Sequence, residues 1–531
     1  MSTSEQSERL KKLSPAKRAL LIQALQKEAA RDKQPETIPR REGQGNAPLS
    51  FAQQRMWLID RLESGSVAYN VPFAVHLKGR LDVAAFEQSI NRIIERHEVL
   101  RTTFELDGDQ PTQVIAAALA LSVPVLSLEE TPAGQREEEA RRLAAEEARR
   151  PFNLMKGPLL RVALLRLEEQ DYVALITMHH IVSDGWSDAI FIQEMVALYE
   201  AALAGRPSPL PELPIQYADF AIWQRERLQG ESLRDLLAFW KEELAGAAPL
   251  LELPTDYPRP PAPTHQGAIE SRVFPKPVYE ALRALSREAG VTMFVILLAV
   301  FKTLLYRYTG QSDVVVGTPV ANRTRLETEG LIGFFLNTLA LRTDLSGNPT
   351  FRQLLEHVQA TTLAAQAHQD LPFELLVESL GLERNLSYAP IFQVLFVYQN
   401  KPVEKLERAG LALTSIEVHS GTSKSDLNLV VVEGADDQHT ANLEYNTDLF
   451  DAATIQRLLA HFETLLTAVA ARPDQRIAEL PLLTRAEEHQ LLRLWNNTAT
   501  SYPDQRGLHH PFETQAATTP DAIALVFEAE S

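Results

Sequence analysis

The sequence predicts a protein of the α/β class with more than one domain. At 531 residues the chain is longer than one hydrophobic core normally supports, since cores rarely grow beyond about 250–300 residues. Its apolar content of 45% and charged content of 23% are those of an ordinary globular protein. Segments with helical and strand-like spacing alternate along the chain, which indicates layers of helices and sheets.

Charge and cysteine content restrict the chemistry that the chain can carry. The formal charge of -18 argues against a nucleic-acid partner, because phosphate binding relies on clustered Lys and Arg. The chain has no cysteine, which excludes disulfides, Cys metal ligands and a Cys nucleophile. Any thioester chemistry must therefore use a thiol that a partner supplies, and the composition fits a reducing compartment.

Residues 1–48 are predicted to form an N-terminal helix and a linker. Leucines at helical spacing predict the helix over residues 5–31, and a stretch with Pro and Arg follows it. The helix either docks an upstream protein or packs onto the next domain. Its polar, charged character indicates that it is not a secretory signal.

The globular part of the chain is predicted to form two lobes, residues 49–210 and 211–485. Pro-rich breaks at residues 207–214 and 254–263 enclose a helical piece, which we interpret as the crossover between the lobes. Residues 486–531 then form a linker and the truncated start of another domain.

The longest apolar stretch, residues 291–305, predicts a buried core helix. Lys302 interrupts it, and it is too short to span a membrane. We therefore expect a cytoplasmic protein with no membrane partner.

Residues 178–187 carry the strongest chemical signal, a His179-His180 doublet followed by Asp184-Gly185. The doublet ends an apolar, strand-like run, the Asp-Gly pair predicts a turn, and residues 190–199 read as a helix. Histidine suits acyl transfer because its ordinary pKa of about 6.5 lets it accept a proton near neutral pH. Two half-buried histidines that only cap a strand are the structural alternative, and the fixed spacing to Asp-Gly favours a function.

This stretch resembles the active-site motif of condensation domains from nonribosomal peptide synthetases. The other family motifs follow in their expected order, at residues 50–57, 96–104, 217–224, 317–323 with 332–339, 368–374 and 390–394. The resemblance covers residues 49–485. The departures from the family pattern are Leu336, where Val is frequent, and Ser425, where an aromatic residue is frequent.

The resemblance implies a fold and a reaction. The fold would be two lobes like chloramphenicol acetyltransferase, arranged as a V-shaped pseudodimer around a central tunnel that holds the motif. The reaction would be amide formation, in which the amine of a carrier-bound amino acid attacks an acyl or peptidyl thioester. The cofactors would be the phosphopantetheine arms of donor and acceptor carrier domains, with none bound covalently by this domain. Residues 508–531 resemble the start of an adenylation domain, which would follow as a partner in cis.

The resemblance also assigns roles to residues of the motif. His180 would face the reacting centre, where it takes a proton from the amine, orients the amine or stabilises the tetrahedral intermediate. His179 would be structural. Asp184 would pair with Arg323, the matching position in the second lobe.

Five further residues are candidates for the site. Gly185 either leaves room for the acceptor amine or supplies the backbone freedom of a turn. Asn337 either donates a hydrogen bond in the tunnel or forms hydrogen bonds with polar groups of a loop. Trp186 and Ser187 belong to the motif, and Arg101 is interpreted as an internal salt-bridge residue.

Alternatives concern the donor and the activity itself. The motif resembles the subtype that accepts an L-configured donor. Because only residues 1–48 precede the first motif, the donor is expected from another protein or as a free thioester. A starter domain that acylates the first amino acid from acyl-CoA or an acyl carrier therefore stays open. A non-catalytic recruitment platform is disfavoured because the motif is intact. No metal site is expected, since the histidines lack zinc-type spacing.

Overall fold

The computed structural model describes residues 37–43, 45–63, 65–382, 385, 387–399, 406–408, 410–416, 418–434, 438–499 and 507–527. The predicted helix over residues 5–31 lies outside the described residues. Its docking role therefore stays a prediction. The chain divides into two compact units, of which the first ends at Leu482 and the second begins at Leu483.

Helices and strands alternate, as the sequence predicts. The first part of the chain contains β1 (Ala47–Pro48), α1 (Phe51–Leu62), β2 (Asn70–Lys78), α2 (Val83–Arg96), β3 (Thr102–Asp107), β4 (Gln110–Ile115), β5 (Val125–Ser127), α3 (Arg136–Ala148), β6 (Leu160–Glu168), β7 (Asp171–His179), α4 (Gly185–Leu203), α5 (Tyr217–Arg227) and α6 (Gly230–Glu243). The second part contains β8 (Gly267–Phe274), α7 (Lys276–Ala289), α8 (Met293–Thr309), β9 (Asp313–Val320), α9 (Leu326–Glu329), β10 (Asn337–Asp344), α10 (Phe351–Ala367), α11 (Phe373–Leu380), β11 (Val394–Gln399), β12 (Leu406–Arg408), β13 (Leu411–Ile416), β14 (Leu427–Glu433), β15 (His439–Asn446), α12 (Ala452–Ala471), α13 (Arg485–His489) and α14 (His509–Thr518).

Two six-stranded sheets organise the first unit. The first sheet has the strand order β12-β13-β2-β7-β6-β5, and the second has the order β10-β9-β11-β14-β15-β8. A smaller sheet has the order β1-β4-β3. Each large sheet has its own hydrophobic core, so the unit has two lobes. The predicted α/β class with two lobes is confirmed.

The two cores do not divide where the sequence predicts the lobe boundary. Helix α5, which follows the predicted boundary at residue 210, contributes Tyr217 and Phe220 to the first core. The Tyr217 hydroxyl lies 2.9 Å from Ser50 Oγ and donates to the Phe334 carbonyl at 2.6 Å. The Pro-rich segment before α5 is therefore a connection on the first lobe, and Trp240 on α6 is the first aromatic residue of the second core.

Two later segments also return to the first lobe. Strand β13 pairs with β2 in antiparallel register, from Ala412 opposite Lys78 to Ile416 opposite Ala74. Leu331, Ile332 and Phe335 pack in the first core although they follow β9 of the second sheet. The first lobe therefore depends on residues that are distant in sequence.

Helix α8 is the predicted core helix, and most of its residues are buried in the second core. Among the described residues, no single helix is long and apolar enough to span a membrane, and only the bent pair α7–α8 meets that criterion together.

Candidate active site

The predicted strand–turn–helix around the histidine doublet is present. Strand β7 ends at His179, His180–Val182 forms a 3-10 turn, and α4 begins at Gly185. The strand is buried along almost its whole length, which fixes the doublet at its end. Asp184 caps α4, since its Oδ1 accepts the Ser187 N–H at 2.9 Å.

The imidazole of His180 is held in one orientation. Its Nδ1 lies 2.8 Å from the Ser183 carbonyl oxygen. A carbonyl can only accept, so Nδ1 carries the hydrogen and Nε2 of the neutral ring keeps its lone pair. The ring packs on Phe334 with 4.6 Å between centroids, and the backbone N–H donates to the Tyr69 carbonyl at 2.9 Å.

Electrostatics keep His180 neutral at pH 7. Burial and the cation of Lys424 lower its pKa to about 4, against the opposing effects of the Ser183 carbonyl and Asp184. Because the ring is neutral and its Nδ1–H is already donated, Nε2 can act as a hydrogen-bond acceptor and as a base.

His179 is used within the protein. The ring is buried, its Nδ1 accepts the Ile181 N–H at 3.2 Å, and its edge packs on Phe152. Burial, followed by the nearby His180 and Lys424, lowers its pKa to about 3. Its contacts therefore stabilise the turn that carries His180.

The predicted pairing of Asp184 with Arg323 is also present. Asp184 is 1% exposed and Arg323 Nη2 donates to its Oδ1 at 3.1 Å, while its Oδ2 accepts the Phe335 N–H at 3.0 Å. With the capping bond to Ser187, both carboxylate oxygens have partners inside the protein. Asp184 therefore organises the site and is not free to bind substrate.

Arg323 and Ser187 extend this clamp. The guanidinium of Arg323 donates to the Leu331 carbonyl at 2.7 Å and lies 4.2 Å from the centre of the Phe335 ring. Ser187 Oγ accepts the Gly333 N–H at 3.1 Å. These bonds hold the segment after β9 against the first turn of α4, whose residues belong to the motif.

Gly185 faces open space. It is exposed, and a Cβ added at this position would meet no atom within 4 Å. Its φ is not in the left-handed region that favours glycine. Of the two interpretations, the structure therefore favours room for an approaching group over backbone freedom.

Asn337 forms hydrogen bonds with the backbone of a loop. Its Nδ2 donates to the carbonyls of Gln369 and Leu371 at 2.8 and 2.7 Å, and its Oδ1 accepts the Phe373 N–H at 3.0 Å. The amide is therefore occupied by the connection between α10 and α11, which leaves it no N–H for a ligand.

The two remaining candidates also bind backbone groups. Arg101 donates to the carbonyls of Glu95 and Ala116 at 2.9 and 2.8 Å and lies 3.8 Å from the Glu98 carboxylate. It therefore secures the end of α2, in agreement with its interpretation as an internal residue. Trp186 is 40% exposed and donates its indole N–H to the Glu329 carbonyl at 3.1 Å.

Two charged residues of the site, Lys424 and Asp188, are not among the residues predicted from the sequence. Lys424 acts on both histidines although it is far from them in the chain. Asp188 lies one residue after Ser187, and burial together with Asp184 raises its pKa to about 8. The Asp188 signal was local, whereas nothing in the sequence places Lys424 beside the doublet.

In the part of the chain that the structure describes, the metal-ligating side chains that converge are His509, His510 and Glu513 in the second unit. The histidine doublet is not part of such a cluster.

Comparisons with known proteins show the family of the chain. The family model described as Condensation domain matches residues 43–492. A linear gramicidin synthase from Brevibacillus parabrevis is 52% identical over 486 residues, which are 91% of this chain and 9% of that protein. The chain thus spans less than a tenth of the length of this curated relative.

Solved structures share the fold. The X-domain from teicoplanin biosynthesis is 30% identical with a TM-score of 0.76, covering 84% of this chain and 100% of the other. The starter condensation domain of rhizomide synthetase, solved with C8-CoA, has a TM-score of 0.73 over 83% of this chain and 98% of the other. At 23% identity, this second likeness concerns the fold alone.

Proposed function

Because the chain belongs to the condensation-domain family, we propose that it forms an amide between a carrier-bound aminoacyl amine and an acyl or peptidyl thioester. The observation that carries the proposal is the free Nε2 of His180, a neutral acceptor fixed at the end of β7 by the bond from Nδ1–H to Ser183. Gly185 leaves space at the same turn.

The reaction balances without an additional reactant. The amine nitrogen bonds to the thioester carbonyl carbon, the carbon–sulfur bond breaks, and the donor arm leaves as a thiol. His180 Nε2 accepts the proton that the nitrogen loses, and this proton is then available to the departing sulfur.

Of the three roles open to His180, accepting the proton and orienting the amine fit best. Stabilising an oxyanion would require an N–H on Nε2, and hence a protonated ring. A pKa of about 4 makes that form scarce at pH 7. Holding amine and carbonyl together contributes as well, since positioning can lower a barrier by about 7–11 kcal/mol.

The substrates would arrive on phosphopantetheine arms of donor and acceptor carrier domains, through the tunnel that the family resemblance implies. We favour a peptidyl or acyl donor on a carrier, because the chain is 52% identical to part of a gramicidin synthase. Acyl-CoA as the donor of a starter domain is the second candidate.

We also propose that residues 486–531 open an adenylation domain that acts in cis. Large apolar side chains of the second unit are exposed, among them Leu508, Phe512, Leu525 and Phe527. Such a surface is expected where a following domain would cover it. An upstream synthetase would dock on residues 1–48, and the assembly would work in the cytoplasm.

Intact-mass measurement of an aminoacylated acceptor carrier protein tests the activity. The chain is supplied in parallel with an acyl-loaded or peptidyl-loaded donor carrier and with a fatty acyl-CoA, and His180→Ala is the control. We expect an adduct from the donor carrier that falls by about 10²–10⁴-fold in the variant. An adduct from acyl-CoA would establish a starter domain, and no adduct from any donor with folded protein would indicate a recruitment platform.

A further inference from the structure

A groove between helix α5 and the segment after β9 has an arginine on each side. Arg227 ends α5, and Arg325 directly precedes α9. Both guanidiniums lie over the indole of Trp223, with their Cζ atoms 5.4 and 5.6 Å from the centre of the ring. The other polar residues that line the groove are Gln224, Asn322, Thr324, Thr328 and Asp370. The groove therefore brings two cations together in a chain whose formal charge is -18.

The guanidinium of Arg325 has no partner in the part of the chain that the structure describes. Its Nε–H is buried without a hydrogen-bond acceptor, and its other N–H groups meet neither an acceptor nor a carboxylate among these residues. A buried donor without an acceptor costs free energy, so such groups are rare unless a ligand, an ion or a water molecule satisfies them. The side chain is therefore available to a ligand that accepts hydrogen bonds.

The position of Arg325 is tied to the clamp on Asp184. The Arg325 carbonyl accepts the Thr328 N–H at 3.0 Å and the Thr328 hydroxyl at 2.6 Å, and the Thr328 carbonyl accepts a hydrogen bond from Arg323. The Cα atoms of Arg323 and Arg325 lie no more than about 7 Å apart, because one residue separates them. Since Arg323 pairs with Asp184, the groove is next to the segment that holds the turn of His180.

Aromatic side chains connect the groove to His180. Phe220 lines the groove and packs on Phe335, with 4.7 Å between the ring centres. The neighbouring Phe334 packs on the ring of His180. The groove and the histidine thus contact one aromatic cluster. A ligand that reaches both places needs an anionic end and a flexible chain.

A phosphodiester fits the groove in charge and in shape. Arginine presents a planar fork of N–H donors that matches the oxygens of a phosphate group. The two guanidiniums repel each other, and an anion bound beside them relieves this repulsion. Together with the carboxylate of Asp370, Arg227 and Arg325 carry one net positive charge. This charge matches a phosphodiester, which carries one negative charge.

We propose that Arg325, together with Arg227, binds the phosphodiester at the carrier end of a phosphopantetheine arm. The identity of this ligand rests on the proposed function, since that function brings both substrates on such arms. The anion site itself follows from the geometry of the groove. The arginines act on the binding of the arm and not on the bond that forms, so they are binding residues and not catalytic ones.

The first test measures binding without catalysis. Isothermal titration calorimetry of the whole chain compares pantetheine with the methyl phosphodiester of phosphopantetheine, which differ in the charged group. The parent chain should bind the phosphodiester about tenfold more tightly, since hydrogen bonds to a charged group are strong. In Arg325→Met the two ligands should bind alike, whereas Arg325→Lys, which keeps the charge, should retain part of the preference.

Arg287→Met is the matched control for this measurement. Arg287 is exposed on α7, and its Nε donates to the Arg283 carbonyl within the same helix. This variant should keep the preference of the parent chain, and urea denaturation should show that all three variants are folded. Equal affinity of the parent chain for the two ligands, or a preference that Arg325→Met retains, would overturn the inference.

Steady-state amide formation then distinguishes a carrier arm from coenzyme A. In Arg325→Met the KM for one of the two loaded carrier proteins should rise about tenfold at unchanged kcat, because the lost contact is the same in the ground state and the transition state. The same acyl group on pantetheine should react equally well with the parent chain and the variant. An effect confined to an acyl-CoA donor would overturn the assignment to a carrier arm. Phosphate-dependent binding by a parent chain that forms no amide would instead count against the proposed function.

Discussion

The open space beside Gly185 makes a substitution there informative. We expect Gly185→Ala to retain or slightly increase stability, because an added methyl group meets nothing and alanine is favoured over glycine within a helix by about 0.5–1 kcal/mol. Amide formation should fall by at least about tenfold, because the methyl group takes the space of the approaching amine. Urea denaturation and single-turnover rates measure the two effects.

Gly134→Ala is the matched control for this substitution. Gly134 is also exposed, has no neighbour within 4 Å of an added Cβ and is free of left-handed backbone strain. It should leave both stability and rate near those of the parent chain. Full activity of Gly185→Ala would mean that the space is not used by a substrate.

At the scale of elements, the Asp184–Arg323 pair joins the start of α4 to the segment after β9. Removing one partner leaves a buried, uncompensated charge, so Asp184→Ala should lower the free energy of unfolding by about 3–5 kcal/mol. The double variant with Arg323→Met should lose less than the sum of the single variants, with a coupling of about 0.5–3 kcal/mol. Urea denaturation of the four proteins at pH 7 measures this coupling, and strict additivity would contradict it.

Helix α8 carries a buried titratable group, the amine of Lys302, that should make the free energy of unfolding depend on pH. Lys302 Nζ is fully buried and donates to the Leu341 carbonyl and to Thr343 Oγ1, both at 2.6 Å. A neutral amine has two N–H donors, which these acceptors satisfy. Burial lowers the pKa of Lys302 to about 7, so the unfolded chain binds more protons above that pH than the folded chain does.

The unfolding free energy of the parent chain should therefore rise with pH, relative to Lys302→Met, by up to about 1.4 kcal/mol per unit between pH ~7 and ~10. Below pH ~7 both states hold the proton, so this contribution levels off. Urea denaturation across the range measures the difference. Lys241→Met, which removes an exposed lysine of α6, should show no such trend.

At the scale of the whole molecule, local signals in the sequence were sufficient for some features and misleading for others. The strand, turn and helix around His180 follow from residues that are neighbours in the chain, and they could be predicted. The place of α5 could not, because a Pro-rich break marks a turn whether or not a core ends there. The position of Lys424 beside the doublet depends on a strand crossover between sheets, which no local pattern encodes.

The later chain segments that return to the first lobe should make the two lobes unfold together. The first sheet contains β13, and the first core contains Leu331 and Phe335, so the first lobe is not complete without later parts of the chain. Phe301 is buried in the second core, and Phe301→Ala should cost about 3–5 kcal/mol there. We expect hydrogen exchange to show the same loss of protection in β6 and β7 of the first sheet as in β9 and β10 of the second.

Phe86→Ala provides the reciprocal measurement, since Phe86 is buried in the first core. It should reduce protection in β9 and β10 by as much as in its own sheet. If each substitution loosened only its own sheet, the lobes would be separate cooperative units and the crossovers would be surface connections. Equal losses in both directions would mean that the two lobes unfold as one cooperative unit.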